Sequence, residues 1–325
     1  AMTMPELMET RFRVRPAVID GLLPAGTYLL AGAPKIGKSF LVLQMAYQVS
    51  MGEQFLGFPS RQGTVLYLAL EDTYERLQKR LAQMTEQDSE RLILSVFSET
   101  LDEGLTERLT DFWSEHTDTV LVIIDTLQRV RGRTPDNGSY AADYDTLVGL
   151  KEFSDTYGVT VLVVHHTRKE GAEDVFNTIS GTNGLMGAAD GALILYKDRR
   201  ITSDAVLEAV GRDQQQLRLH LSFDAAHLRW ELVEVETGRF KELPNPMVEL
   251  VSRLGNEENP SWSGTATELM QCLSEMDNSQ SFTPNWIVRT LNAQQDTLLR
   301  KYDIHYVSHR TKEGKALLLR WDGVR

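Results

Sequence analysis

Eight consecutive residues, Gly32-Ala33-Pro34-Lys35-Ile36-Gly37-Lys38-Ser39, restrict what this chain can fold into more than any other stretch. They spell G-x-x-x-x-G-K-S. They follow an apolar run, Thr27-Tyr28-Leu29-Leu30-Ala31, that reads as a buried strand. They open into Phe40-Leu41-Val42-Leu43-Gln44-Met45-Ala46, which reads as a helix. A strand that turns through glycines into a helix start presents successive backbone N–H groups to an anion. Lys38 is expected to reach the β- and γ-phosphates, and the Ser39 hydroxyl to bind Mg2+. Pro34 has no N–H, so it belongs ahead of the cradle proper. The stretch from Gly32 to Phe40 therefore predicts a nucleoside triphosphate site within an α/β fold.

The bulk properties narrow the setting. A chain of 325 residues, 42% hydrophobic and 25% charged, has room for one large α/β domain and a small appendage. No apolar run approaches the roughly 20 residues that span a bilayer, and no secretory leader is expected. Ala1 ahead of Met2 reads as an added residue. The single cysteine, Cys272, excludes an internal disulfide framework, and no Cys/His cluster suggests zinc. A cytoplasmic protein without a membrane partner is the expectation. The net charge of −12 argues against nucleic acid being gripped by the whole surface. The charge is uneven, however: residues 285–325 hold eight Lys/Arg against four Asp/Glu.

Along the chain, a lead-in of about 25 residues ends at Gly21-Leu22-Leu23-Pro24-Ala25-Gly26. Strands are expected at Val65–Leu70, at Val120–Asp125 and at Val159–His166, with helices near 73–84, 104–116 and 141–157. Strands that are apolar throughout and alternate with helices predict a mainly parallel sheet covered on both faces. From about Gly191 the pattern becomes short strands, Ala192–Tyr196, Ala205–Val210, Gln216–Phe223 and Leu228–Val235, which predict an antiparallel extension of that sheet. The expected division is a core over 1–243, a linker with one helical turn over 244–264, and a small domain over 265–325. The linker reading rests on Pro244, Pro246 and Pro260 among Asn, Glu and Gly. In the last part, helices precede Ile304–Ser308 and Ala316–Trp321, which pair across Lys312-Glu313-Gly314-Lys315. Helices followed by a basic hairpin describe a winged helix; a helical cap with no ligand is the alternative.

Other candidate residues fall at the carboxyl ends of the strands, where ligands of open α/β sheets bind. Asp125 closes an intensely apolar strand and is placed to serve Mg2+. Glu71 is the first residue past its strand and can orient or deprotonate an attacking water; Asp72 can instead cap the following helix. His165-His166 end a further strand, where one of them can contact the γ-phosphate. Two loops leave this edge and begin basic in an acidic protein. The first holds Arg131 and Arg133, the second Arg168 and Lys169. They suit phosphate-backbone contacts of single-stranded DNA that depend on nucleotide state, unless they are merely solvated.

The motif of Gly32–Ser39, Leu70-Glu71-Asp72 with Arg76-Leu77 and Arg80-Leu81 behind it, Ile124-Asp125-Thr126-Leu127, and His165-His166-Thr167 occur in this order. Over residues 15–235 the set resembles the RepA-type replicative helicases of plasmids and mobile elements, a DnaB-related branch of the RecA-fold, AAA-family ATPases. The resemblance implies a RecA-like core and an ATP-hydrolysing, DNA-stimulated helicase. It implies that Lys38 and Ser39 bind phosphate and Mg2+, that Glu71 is the catalytic carboxylate and Asp125 the Mg2+-linked aspartate. His166, or else His165, becomes the γ-phosphate sensor. It further implies a homo-oligomeric ring, usually a hexamer, with ATP at subunit interfaces and a neighbour's arginine completing each site. Val210-Gly211-Arg212 matches the finger position with the lysine replaced by Val210, so Arg212 is the choice and Arg199 the runner-up. The small domain would add duplex contacts through Arg289, Arg310, Lys312 and Lys315. Two other readings stand beside the helicase: a nucleotide-switched DNA-binding regulator with negligible turnover, and a RecA/RadA-like recombination ATPase.

Overall fold

The computed structural model describes residues 2–10, 15–132, 140–167, 176, 183–197, 204–212, 214–237, 245–255, 259–277, 282–311 and 314–322. The chain divides into two compact units. One spans residues 15–241; the other joins residues 1–14 to 242–325. The first helix, α1 (Met4–Glu9), belongs to the second of these.

The larger unit carries β1 (Thr27–Gly32), α2 (Lys38–Met51), β2 (Thr64–Ala69), α3 (Tyr74–Met84), β3 (Leu92–Ser95), α4 (Leu105–Glu115) and β4 (Thr119–Asp125). It continues through α5 (Leu127–Val130), α6 (Tyr140–Tyr157), β5 (Thr160–His166), α7 (Asn183–Ala188), β6 (Gly191–Tyr196), β7 (Ala205–Gly211), β8 (Gln214–Asp224) and β9 (Arg229–Thr237). The nine strands form one sheet in the order β3-β2-β4-β5-β1-β6-β7-β8-β9. β3 through β6 in that order run parallel, and β6 to β9 run antiparallel as consecutive neighbours. This is the mainly parallel sheet with an antiparallel extension that the sequence predicts.

Period-two alternation splits each central strand between two cores. Tyr28, Leu30, Val65, Tyr67, Leu121, Ile123, Leu162 and Val164 face α2 and α3. Leu29, Ala31, Leu66, Leu68, Val122, Ile124, Val161 and Val163 face α4, α5, α6 and α7. Both faces are dry, which is why these strands read as unbroken apolar runs. β3 is an exception: its four residues are all half-buried on an outer edge, too short and too mixed to register as a strand in the sequence.

The second unit adds α8 (Pro246–Ser252), β10 (Ser261–Thr265), α9 (Ala266–Met276), α10 (Pro284–Ala293), α11 (Gln295–Tyr302), β11 (Ile304–Thr311) and β12 (Gly314–Trp321). Its antiparallel sheet has the order β10-β12-β11. The stretch read as a linker therefore holds a helix and a strand. Pro246 and Pro260 sit where their elements tolerate them, and Pro244 lies outside the described residues. Pro246 is in the first turn of α8 behind Asn245, whose side chain accepts from Met247 N at 3.1 Å and Val248 N at 3.4 Å. Pro260 precedes β10 and uses only its carbonyl, which accepts from Trp321 N at 2.8 Å.

Candidate functional site

The sheet brings four strand ends to one edge. β1 lies between β5 and β6, with Gly32 opposite His166; Ala69 at the end of β2 lies opposite Asp125. From Gly32 the chain turns through Lys35, at φ 63°, and Gly37, at φ 103°, into α2. Lys38 is 6% exposed, and its Nζ donates to Gly32 O at 2.8 Å and Ala33 O at 3.1 Å. His166 Nδ1 lies 3.3 Å from the same ammonium. Burial holds the Lys38 pKa below its ordinary value, while Asp125 and Glu71 pull it back up.

Asp125 is the centre of the acidic side. Its Oδ2 accepts from Ser39 Oγ at 2.9 Å and from Tyr67 OH at 3.0 Å. Desolvation raises the Asp125 pKa, opposed by these two hydroxyl donors, and Lys38 also lowers it. Burial pushes the Tyr67 phenol well above its usual range, with the Asp125 charge adding to the shift, so Tyr67 is a permanent donor. Glu71 is exposed, and its Oε1 accepts from Thr126 Oγ1 at 3.0 Å. Leu70 N donates to Asp125 O at 2.8 Å, fixing the two strand ends together.

Asp72 does not cap α3; Thr73 does, accepting from Arg76 N. Asp72 is instead held by Arg76 Nε at 2.9 Å and by Arg80 Nη1. The Arg80 guanidinium also lies 4.8 Å from the centre of the Phe40 ring. One cavity of 620 Å³ is bordered by Lys38, Ser39, Phe40, Glu71, Asp72, Arg76, Arg80, Asp125, Thr126 and His166. A cavity of 760 Å³ along α3 and β3 is larger, but its lining holds no lysine or arginine and is unsuited to a triphosphate. Arg76, Arg80 and Thr126 belong to the sequence motifs without a role; Tyr67 carries no sequence signal of its own.

Among the described residues no three His, Cys, Asp or Glu side chains are placed to hold a metal by themselves. The Ser39 hydroxyl and the Asp125 carboxylate supply hard oxygen donors side by side, which suits Mg2+ shared with a phosphate.

Other predicted residues lie elsewhere. Arg212 follows β7, whose Gly211 pairs with Gly191 at the start of β6, the sheet edge opposite the phosphate loop. Its Nη2 donates to Gly187 O at 2.9 Å, and Nη1 is 4.0 Å from Asp190 Oδ1. It takes no part in its own chain's cavity. Arg131, just beyond α5, is half-buried. Arg289 is exposed on α10 beside a cavity that Pro5, Met8 and Glu9 also line. Arg310 and Lys315 are directly paired positions on β11 and β12. Arg133, Arg168, Lys169, Arg199 and Lys312 lie outside the described residues. Among the described residues, no helix is long and apolar enough to cross a membrane.

Residues 3–172 match the family AAA_25, described as an AAA domain. The chain belongs to that family. Curated relatives carry the name DNA repair protein RadA. That of Streptococcus pyogenes serotype M6 is 26% identical over 186 residues, 56% of this chain and 35% of the relative. That of Salmonella typhimurium strain LT2 is 23% identical over 287 residues, 86% of this chain and 55% of the relative. The chain thus spans between about a third and about a half of these relatives' length. Among solved structures, an isolated ATPase domain superposes with a TM-score of 0.54 at 16% identity, covering 65% of this chain and 85% of that one. A DnaB-like replicative helicase gives 0.53 at 17% identity, covering 65% and 59%. The larger unit has the RecA-like fold of DnaB-related helicase ATPases.

Proposed function

We propose that this AAA-domain protein is an ATP-dependent DNA helicase or translocase of the RepA type, acting in replication of a plasmid, phage or other mobile element. The observation that carries the reading is the convergence of Lys38, Ser39, Asp125, Glu71 and His166 on one cavity at one sheet edge. Backbone N–H groups from Lys35 to Phe40, with the Lys38 ammonium, hold the triphosphate of ATP. Ser39 and Asp125 would hold Mg2+, which supplies charge neutralisation to the phosphates. Glu71 takes the proton of a water whose oxygen bonds to the γ-phosphorus; the bond to the bridging oxygen breaks and ADP departs. His166, beside Lys38, senses the loss of the γ-phosphate and passes it to the basic loop that follows.

Arg212 of a neighbouring copy, or Arg199, would complete each site in a ring, hexameric by the family pattern. Single-stranded DNA would meet Arg131, Arg133, Arg168 and Lys169. The order α8-β10-α9-α10-α11-β11-β12, with β12 between β10 and β11, supports a winged-helix reading of the small unit. Its Arg289, Arg310, Lys312 and Lys315 then face duplex DNA, in the cytoplasm. Native mass measurement with a non-hydrolysable ATP analogue, with and without a single-stranded oligonucleotide, tests the ring. A closed oligomer stabilised by both ligands is expected; a monomer under all conditions would reject the motor.

The RadA relatives favour a second reading, a DNA-repair ATPase with the same site. Removing the gene separates the two. Sensitivity to DNA damage with normal copy number of the resident element supports repair; loss of the element supports replication.

A further inference from the structure

Trp230 lies on β9, distant along the chain from the phosphate loop, and yet it is fastened to that loop and to the helix behind it. Its main chain forms a reciprocal pair with Gln44 of α2: Trp230 N donates to Gln44 Oε1 at 2.8 Å, and Gln44 Nε2 donates to Trp230 O at 3.0 Å. Its indole Nε1–H donates to Gly37 O at 3.2 Å. The ring also covers the same residue, because a Cβ placed on Gly37 would come within 2.7 Å of Trp230 Cζ2. Trp230 and Gln44 are 4% and 3% exposed, so the contact is largely shielded from water that would replace the donor.

The carbonyl so held is the first acceptor of α2, taking Leu41 N at 3.1 Å as well. A trans peptide is planar, and its C=O and N–H point in opposite directions. Drawing Gly37 O toward Leu41 and the indole therefore aims Lys38 N–H out of the helix start, into the cavity that Lys38 lines. Gly37 needs the left-handed turn at φ 103°, and glycine reaches it at the cost of a freely rotating peptide.

We infer that Trp230 is a positioning residue of the phosphate loop: its indole N–H locks the Gly37–Lys38 peptide so that Lys38 N–H is already aimed at a phosphate oxygen. Glycine supplies the turn, and Trp230 removes the freedom that comes with it. Nucleotide affinity thereby depends on β9, the far antiparallel end of the sheet. The inference rests on reading Gly32–Ser39 as the triphosphate cradle.

The test uses the full chain with Trp230 replaced by β-(3-benzothienyl)alanine, which keeps the ring shape and has sulfur in place of the N–H, and separately Trp230→Phe. Affinity for a non-hydrolysable ATP analogue, KM and kcat for ATP, and Tm are measured for each. Loss of one neutral hydrogen bond predicts Kd and KM raised about three- to tenfold. For the isostere, kcat stays near that of the unsubstituted protein and Tm falls by no more than the roughly 1–6 °C that one lost neutral hydrogen bond costs, while Kd and KM rise, a split that a merely structural tryptophan would not give. Analogue binding by the unsubstituted protein with unchanged Kd in both variants overturns the inference alone. A fall in Tm and kcat with Kd unchanged overturns it equally. Absence of analogue binding by the unsubstituted protein overturns the cradle reading and the inference with it.

Discussion

Replacing Tyr67 by Phe isolates one bond of the acidic side. Tyr67 is fully buried, and its OH is, among the described residues, one of two donors to Asp125 Oδ2, at 3.0 Å against 2.9 Å from Ser39. The ring stays, so no cavity larger than one oxygen opens. The loss is that of a hydrogen bond to a buried charged group, about 1.5–3 kcal/mol. A domain of ~150–250 residues loses roughly 2–4 °C of Tm per kcal/mol, so Tyr67→Phe should lower Tm by about 3–12 °C. The carboxylate left with one hydroxyl donor should also need more Mg2+ for half-maximal ATP hydrolysis. Differential scanning fluorimetry on the nucleotide-free protein reads the first effect, and a Mg2+ titration of phosphate release reads the second. A Tm within about a degree of the unsubstituted protein, with an unaltered Mg2+ requirement, would refute the account of Asp125.

Other substitutions separate other parts. Glu71→Gln keeps the bond from Thr126 and removes the base; kcat should fall about 10²–10⁴-fold with ATP-analogue affinity retained, measured by phosphate release and equilibrium titration. Gly37→Ala puts a methyl at φ 103° and 2.7 Å from Trp230 Cζ2, so nucleotide binding should fail more completely than in either Trp230 variant when followed by the same titration. Asp118 is held below its ordinary value of 3.8 chiefly by the Thr64 hydroxyl, at 2.8 Å, with Arg91 assisting. A lowered folded-state pKa gives stability that is present above the ordinary value and lost as pH falls through the folded one. Asp118→Asn should therefore lower Tm modestly at pH ~7, and the gap should close in melts taken below the ordinary carboxylate value.

The phosphate loop, Asp125 and the histidine pair were legible because each is a local signature at the end of an apolar strand. Parallel pairing then aligns those ends without further information: Gly32 meets His166 and Ala69 meets Asp125. Tyr67 was not legible, since a tyrosine within Thr64–Ala69 reads as core; its role depends on β4 lying beside β2. Trp230 was hidden for the same reason at longer range, as its partner Gly37 is 193 residues away. Asp72 looked like a cap because it precedes a helix, whereas two arginines one and two turns along α3 claim it. The prolines around 244–260 suggested a linker, although Pro246 begins a helix and Pro260 ushers in a strand. Proline reports a boundary, and both sides of that boundary can be ordered.

ATP turnover by the full chain, compared with Glu71→Gln, in Mg2+ and in EDTA, with and without single-stranded DNA, tests the central claim most directly. Mg2+-dependent phosphate release that rises with DNA and vanishes in Glu71→Gln is the predicted result. Turnover indifferent to both DNA and Glu71 would contradict it.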